Sequence, residues 1–249
     1  MSTNIDLPGK KPGREEELRL IYDFWHRSMM HYAMWFAEVQ HQLGQEKALE
    51  VMKYANENAM AIQMKRFAGV FNTELQNGFP KPLMELSDEK IEALKEAVAL
   101  NWLMFDGVWF QGVEFKYGMN DAKRCNDSCW GQFAPFEAWS IKNLLKMDEN
   151  PGLEGLKQAL KFRLYTYINK QSFREETETA FVFRMDECRV QAARKRKGLE
   201  DYPCKSAGLV EFPRFAEAID NRIKTECICC PPDPHPDEHY CVWRFSMES

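Results

Sequence analysis

Apolar residues in the first half of the chain recur at steps of three and four. Leu18, Ile21, Tyr22, Trp25, Met29, Tyr32 and Phe36 form one stripe, which predicts a long amphipathic helix that Gly44 ends. A second helical stretch covers roughly 45–70 and closes near Asn72 and the Gly78-Phe-Pro turn. Ser87 followed by Asp88 and Glu89 has the chemistry of an N-cap with an acidic first turn, and opens a third helix running to about Gly118. A loop with Cys125 and Cys129 then leads to a fourth helix near 135–146. Asn150-Pro151-Gly152 breaks the pattern and marks a domain boundary.

After that boundary the period changes. A short helix near 153–160 gives way to Phe162–Ile168 and Ala180–Met185, which alternate as strands do, with Ser172–Thr179 turning the hairpin. Helices follow at about 187–197 and 210–219, then strands Ile223–Cys229 and Tyr240–Phe245 around a proline-rich loop. The fold class is α+β. A disordered N-terminus (1–14) precedes a helical bundle (15–150) and a small antiparallel sheet of order β-β-α-α-β-β (151–249), with helices on one face. Met34–Gly44 also aligns without a gap on Val108–Gly118, coinciding at Trp-Phe, at Val and at the final Gly. Duplicated helix–loop–helix units packed as a four-helix bundle explain the echo, and so does coincidence between two aromatic-rich helices.

Composition narrows the setting. The 249 residues are 45% hydrophobic with a net charge of −5, enough for a sizeable core. No window approaches eighteen uncharged apolar residues, so no transmembrane helix is expected. The polar first residues lack the apolar stretch of a signal peptide, which points to the cytoplasm. Mild acidity argues against a nucleic-acid partner, and the one basic run, 193–198, reads as a solvated helix end.

In a reducing compartment the eight cysteines are not a disulfide framework. Cys125 and Cys129 form one pair, while Cys188, Cys204, Cys227, Cys229, Cys230 and Cys241 crowd the C-terminal end. Cys227 and Cys230 make a C-x-x-C corner where a strand meets the proline-rich loop. Cys241 opens the neighbouring strand, and alternation puts Cys227 and Cys229 on one sheet face. Soft thiolates suit zinc or iron. Four of Cys188, Cys204, Cys227, Cys230 and Cys241 are therefore expected to hold zinc or a [4Fe-4S] cluster, with His235 or His239 able to replace one. A reactive-thiol site and plain structural cysteines are the other readings.

The stretch Phe183–Cys188, Gly198-Leu, Cys204, Phe215-Ala, Ile219-Asp, Glu226–Cys230 and Cys241–Phe245 resembles two groups. One is the 4-vinyl-reductase-like small-molecule-binding domain, the other the L-2-amino-thiazoline-4-carboxylate hydrolase-like proteins. Trp35–Val39, Asp121–Asn126, Cys188–Gly198 and Arg222–Cys227 carry a broader resemblance, to an uncharacterised family of "cytosolic proteins" of anaerobic prokaryotes. That resemblance spans nearly everything after residue 15. It implies a cytosolic protein with a cysteine-lined ligand or metal site and supplies no reaction. Cys229 departs from the pattern, which has glycine between the paired cysteines.

The helical half offers other chemistry. His31, Glu38 and His41 share a broad face of the first helix, and Glu38-x-x-His41 is a spacing used by bundle metal sites. The third helix answers with Asp106 and Glu114, a poor match for a dinuclear site. Glu38, His41 and Asp106 are the acid/base candidates, beside an aromatic pocket of Trp35, Trp102 and Trp109. Arg124 is a fork for an anionic group. G-x-S-x-G, Walker A, Gly-rich dinucleotide and H-E-x-x-H motifs are missing from the sequence. The expectation is a cytosolic metalloprotein that binds a small molecule, as enzyme or ligand sensor, with no membrane partner and room for a homodimer. The alternatives are a metal-independent hydrolase of a small cyclic amidine or amide with a cysteine nucleophile, and a non-enzymatic protein with a structural zinc.

Overall fold

The computed structural model describes residues 13–196, 198 and 201–248, so most of the expected disordered N-terminus lies outside the described residues. The chain divides into two compact units, one ending at Glu85 and the other starting at Leu86. The sequence reading places a boundary at 150 instead. The physical reason for the difference is that the helix before residue 150 packs on a helix of the C-terminal half, as described below.

In the first unit, helix α1 (Arg14–Leu43) turns directly into α2 (Gln45–Val70) through Gly44. Gly44 has φ 89°, a left-handed backbone that favours glycine. Its N–H donates to the Gln40 carbonyl at 3.0 Å, ending α1, and its carbonyl accepts from the Ala48 N–H at 3.1 Å, starting α2. A two-residue hairpin, β1 (Leu75–Gln76) and β2 (Phe79–Pro80), and the short α3 (Lys81–Met84) complete the unit.

The second unit begins with the same device. Helix α4 (Asp88–Tyr117), capped by Ser87 Oγ accepting from Lys90 N–H at 3.3 Å, passes into α5 (Met119–Leu145) through Gly118, φ 93°. Gly118 donates to Glu114 at 2.9 Å and accepts from Ala122 at 3.1 Å. The internal echo therefore extends to the joint and to the buried alanine four residues beyond it, Ala48 and Ala122.

Helix α5 is continuous through the residues read from sequence as a loop. Its polar residues around Cys125–Ser128 conceal a stripe of Ala122, Trp130, Ala134, Ala138 and Ile141, buried at helical spacing. Pro135 sits inside it. A proline cannot donate to the carbonyl four residues back. That carbonyl, of Gly131, accepts instead from Arg214 Nη1 at 2.9 Å. The cross-helix bond satisfies the group that proline leaves free.

Next come α6 (Gly152–Leu160), a 3-10 turn (Leu164–Tyr167), β3 (Lys170–Arg174), β4 (Ala180–Glu187), α7 (Arg189–Arg196), α8 (Lys205–Ile219), β5 (Lys224–Cys229) and β6 (Cys241–Ser246). The strands form one antiparallel sheet, β3-β4-β6-β5. The α+β class and the β-β-α-α-β-β order hold. Residues 162–168 do not form the expected strand, and the first strand starts at Lys170. The alternation there places Arg163 inward and leaves Phe162 exposed, because two buried carboxylates await the guanidinium.

Phe181, Phe183 and Met185 of β4 and Cys241, Trp243 and Phe245 of β6 share the inner face, in register Phe181↔Phe245, Phe183↔Trp243 and Met185↔Cys241. They pack with α5, α6 and α8 in one core. Phe212 of α8 stacks on Trp243 at 4.6 Å between ring centroids. The contact needs Gly208, where an added Cβ would lie 2.7 Å from Trp243 Cζ2. Trp243 is fully buried and has no room to yield. Gly208→Ala is therefore expected to cost about 1–3 kcal/mol by overpacking, read as a lower urea midpoint with an unchanged slope.

A bulge between Cys227 and Cys229 corrects one expectation. Cys227 pairs with Trp243 and Cys229 with the adjacent Val242, so the extra residue, Ile228, puts the two thiols on opposite faces. Cys227 packs against the core with Trp243, while Cys229 points to the other side.

Candidate functional site: a thiol-walled cavity

Four cysteines meet along one wall of a cavity of about 530 Å³ in the second unit: Cys188, Cys204, Cys230 and Cys241. Each arrives from a different element. Cys188 follows β4 and opens α7, its carbonyl accepting from Ala192 N–H at 2.8 Å. Cys204 is the N-cap of α8. Cys230 leaves β5 into a turn closed by the Asp233 N–H on its carbonyl at 2.9 Å, and Cys241 begins β6. Two contacts fasten the turn to α8. Lys205 N–H donates to the Pro231 carbonyl at 2.9 Å, and Lys205 Nζ reaches both Asp233 oxygens at 2.8 and 2.7 Å.

The Sγ atoms of Cys204 and Cys230 are 3.7 Å apart. Cys241 and Cys227 both lie close enough to raise the Cys230 pKa. Proton demand in this relay is high. Cys204 is pushed well up, chiefly by its hydrogen bond to Cys230 and then by burial. For Cys230 the contact with Cys204 lowers the pKa, but Cys241 and burial outweigh it and leave the thiol raised. Burial pushes Cys188 and Cys227 up to about 11 each. All five thiols are protonated at neutral pH.

Donors nevertheless surround these sulfurs. The backbone N–H groups of Val190 and Gln191, in the first turn of α7, lower the Cys188 pKa against burial. Gln191, 1% exposed, donates Nε2–H to the Tyr202 carbonyl at 2.9 Å and to Cys204 Sγ at 3.6 Å, and its Oε1 accepts from Tyr202 N–H at 2.8 Å. The buried Trp243 indole Nε1–H lacks an ordinary hydrogen-bond partner, and its influence falls on Cys241, whose pKa it lowers. Such donors favour thiolates over thiols.

The remainder of the cavity is aromatic and acidic. Trp130, Tyr165, Phe110, Tyr202 and Phe212 line it, with Asp106, Glu114 and Glu211 among them. Trp130 and Tyr165 stack at 5.6 Å, and Tyr202 meets Phe110 edge-on at 5.3 Å. Asp106 makes no hydrogen bond or ion pair to a described residue, and burial raises its pKa. A raised carboxyl stabilises the fold fully below its ordinary value, 3.8, and loses that contribution as pH climbs through the raised one. At neutral pH the ionised Asp106 thus opposes folding. Asp106→Asn is expected to raise the melting temperature at pH 8 and to leave it nearly unchanged at pH 3; the same shift at both would refute the assignment.

The other sequence candidates lie elsewhere. Glu38, His41 and Trp35 are exposed on α1 in the first unit, Glu38 accepting from Gln42 Nε2 at 2.8 Å. Trp109 is 68% exposed on α4, and Arg124 faces solvent paired with Asp121 at 2.9 Å. Trp102 packs edge-on against Trp130 and Tyr165. His235 Nε2 is 2.8 Å from Asp201 Oδ2, away from a ligating role. Tyr165, Gln191, Tyr202 and Glu211 escaped the sequence reading. Glu211, set in the apolar run Leu209-Val-Glu-Phe, gave the one available signal.

Among the described residues no three His, Cys, Asp or Glu side chains are arranged to ligate one ion as they stand. No described helix is long and apolar enough to cross a membrane. A profile described as "Family of unknown function (DUF6125)" matches residues 84–247. The chain belongs to the DUF6125 family. No curated protein and no solved structure matches it. The DUF6125 match takes in every residue of the thiol-walled cavity. Glu38, His41 and Trp35 fall outside it.

Proposed function

We propose that this DUF6125 protein is a cytosolic metalloprotein whose cavity thiols take a soft metal ion beside a small-molecule site. The carrying observation is the 3.7 Å separation of Cys204 and Cys230, with Cys241 and Cys188 on the same wall. Four sulfurs about 2.3 Å from one tetrahedral ion lie about 3.8 Å from one another. The pair already has that spacing, which favours a single ion, zinc foremost, over a [4Fe-4S] cluster. Cys204, Cys230 and Cys241 would hold it, with Cys188 or Cys227 as the fourth ligand. Coordination deprotonates thiols outright. The Gln191 donor at Cys204 fits the thiolate state.

The small molecule would lie against Trp130, Tyr165 and Tyr202, with Asp106 as the titratable group facing it. A flat ligand with a hydrogen-bond donor suits that wall. The resemblance of segment 183–245 to 4-vinyl-reductase-like and L-2-amino-thiazoline-4-carboxylate hydrolase-like domains agrees with a ligand site walled by cysteines, in an enzyme or a sensor. A metal-independent cysteine nucleophile is disfavoured by the raised thiol pKa values.

The test is anaerobic titration of the reduced protein with zinc, following thiols blocked from a disulfide reagent. One tightly held equivalent that protects about four thiols supports the reading. Full thiol reactivity at saturating zinc overturns it.

A further inference from the structure

Helix α1 is 30 residues long and buries none of them. Leu18, Tyr22, Trp25, Met29, Tyr32, Phe36, Val39 and Leu43 follow one another at alternating steps of four and three along it. This is the seam spacing of a coiled coil, kept through the whole helix. Partner α2 covers part of it: Phe36 and Val39 are half-buried and help to line an apolar groove of about 340 Å³ against Ala48, Val51 and Met52. Leu18, Ile21, Tyr22, Trp25, Met29, Tyr32 and Leu43 remain 45–63% exposed. Apart from two alanines, Ala48 and Ala68, α2 buries nothing either. A helical hairpin with so little inside it lacks a core of its own, and a second hairpin is the usual remedy.

We propose that the α1–α2 hairpin pairs with the same hairpin of a second copy of this chain, α1 antiparallel to α1, as a four-helix bundle. Three observations choose that occupant. Alternating steps of four and three read the same in both directions, so a two-fold axis near Arg27 sets Trp25 opposite Met29, Tyr22 opposite Tyr32 and Leu18 opposite Phe36 of the second copy. The charged flank is satisfied within the helix, Arg19 to Glu15 at 2.8 Å and Arg27 to Asp23 at 2.6 Å. At the axis Arg27 meets its own copy, and Asp23 of the same helix offsets the charge there. With side chains of this size presenting about 150–250 Å² when open, the seven exposed ones amount to roughly 700 Å², close to the ~800 Å² each partner gives a standard interface.

Sedimentation velocity of the full chain at micromolar concentration is expected to give twice the 29.2 kDa chain mass. Tyr22→Glu with Trp25→Glu should return the single-chain mass, while Phe115→Glu, on exposed α4, should leave the dimer intact. Hydrogen exchange, which needs no variant, should show α1 amides whose protection rises with protein concentration. A single-chain mass for the wild type, a dimer that survives the double substitution, or α1 protection independent of concentration would each overturn the proposal.

Discussion

Arg163→Ala is expected to cost about 3–5 kcal/mol, the usual loss when one partner of a buried ion pair is removed. Arg163 is 2% exposed, with Nε 2.8 Å from Glu137 Oε2 and Nη2 2.6 Å from Glu211 Oε1. It joins α5, the 3-10 turn and α8, and its guanidinium lies 4.5 Å from the Phe215 ring centre. Without it two carboxyls share an apolar interior with no cation. Burial already raises the Glu211 pKa against the pull of Arg163, so the variant must raise it further. A raised carboxyl supports the fold fully only below the ordinary glutamate value, 4.5, and that support fades as pH rises through the folded-state value. The deficit should therefore be small near pH 4 and full at pH 8. Urea unfolding at both values checks this; equal stability of variant and wild type at pH 8 would remove the triad from the account. Arg163→Lys keeps the charge but loses the fork, and should fall between the two.

The second large effect is expected at the sulfurs. With free zinc a thousandfold above its dissociation constant, the wild type should gain about 4 kcal/mol, seen as a rise in melting temperature that a chelator reverses. Cys204→Ser and Cys230→Ser should each abolish the gain, since those two atoms carry the spacing of the site. Cys241→Ser should weaken it strongly. Cys125→Ser and Cys129→Ser, on the exposed side of α5, should leave it intact. Because binding displaces protons from thiols whose pKa values stand near 11 at Cys188 and Cys227, affinity should fall as pH is lowered. Equal gains in wild type, Cys204→Ser and Cys230→Ser would end the metal reading.

Elements whose residues behave by local rule were legible in the sequence. The helices ending at Gly44 and Gly118, the Ser87 cap and the last two strands follow from spacing and from chemistry a few residues wide. The nearness of Cys230 and Cys241 follows from strand pairing across one loop. The failures are places where a distant partner decides. Arg163 turns inward because Glu137 and Glu211, 26 and 48 residues away, receive it. Helix α5 runs through Pro135 because Arg214 takes the orphaned carbonyl. Ile228 bulges and reverses the face of Cys229, although period-two alternation says otherwise. The Gln191 side chain is held by the backbone N–H and carbonyl of Tyr202, a pairing that no side-chain pattern records.

The joints at Gly44 and Gly118 carry a consequence for how such chains can diverge. One residue closes the outgoing helix and opens the returning one, so no slack exists to absorb a change in length. An inserted residue would turn the second helix by about 100° and swing its apolar side away from its neighbour. Side chains along either hairpin can drift over time, but the residue count at the bend cannot, and gaps in related sequences should avoid these two corners.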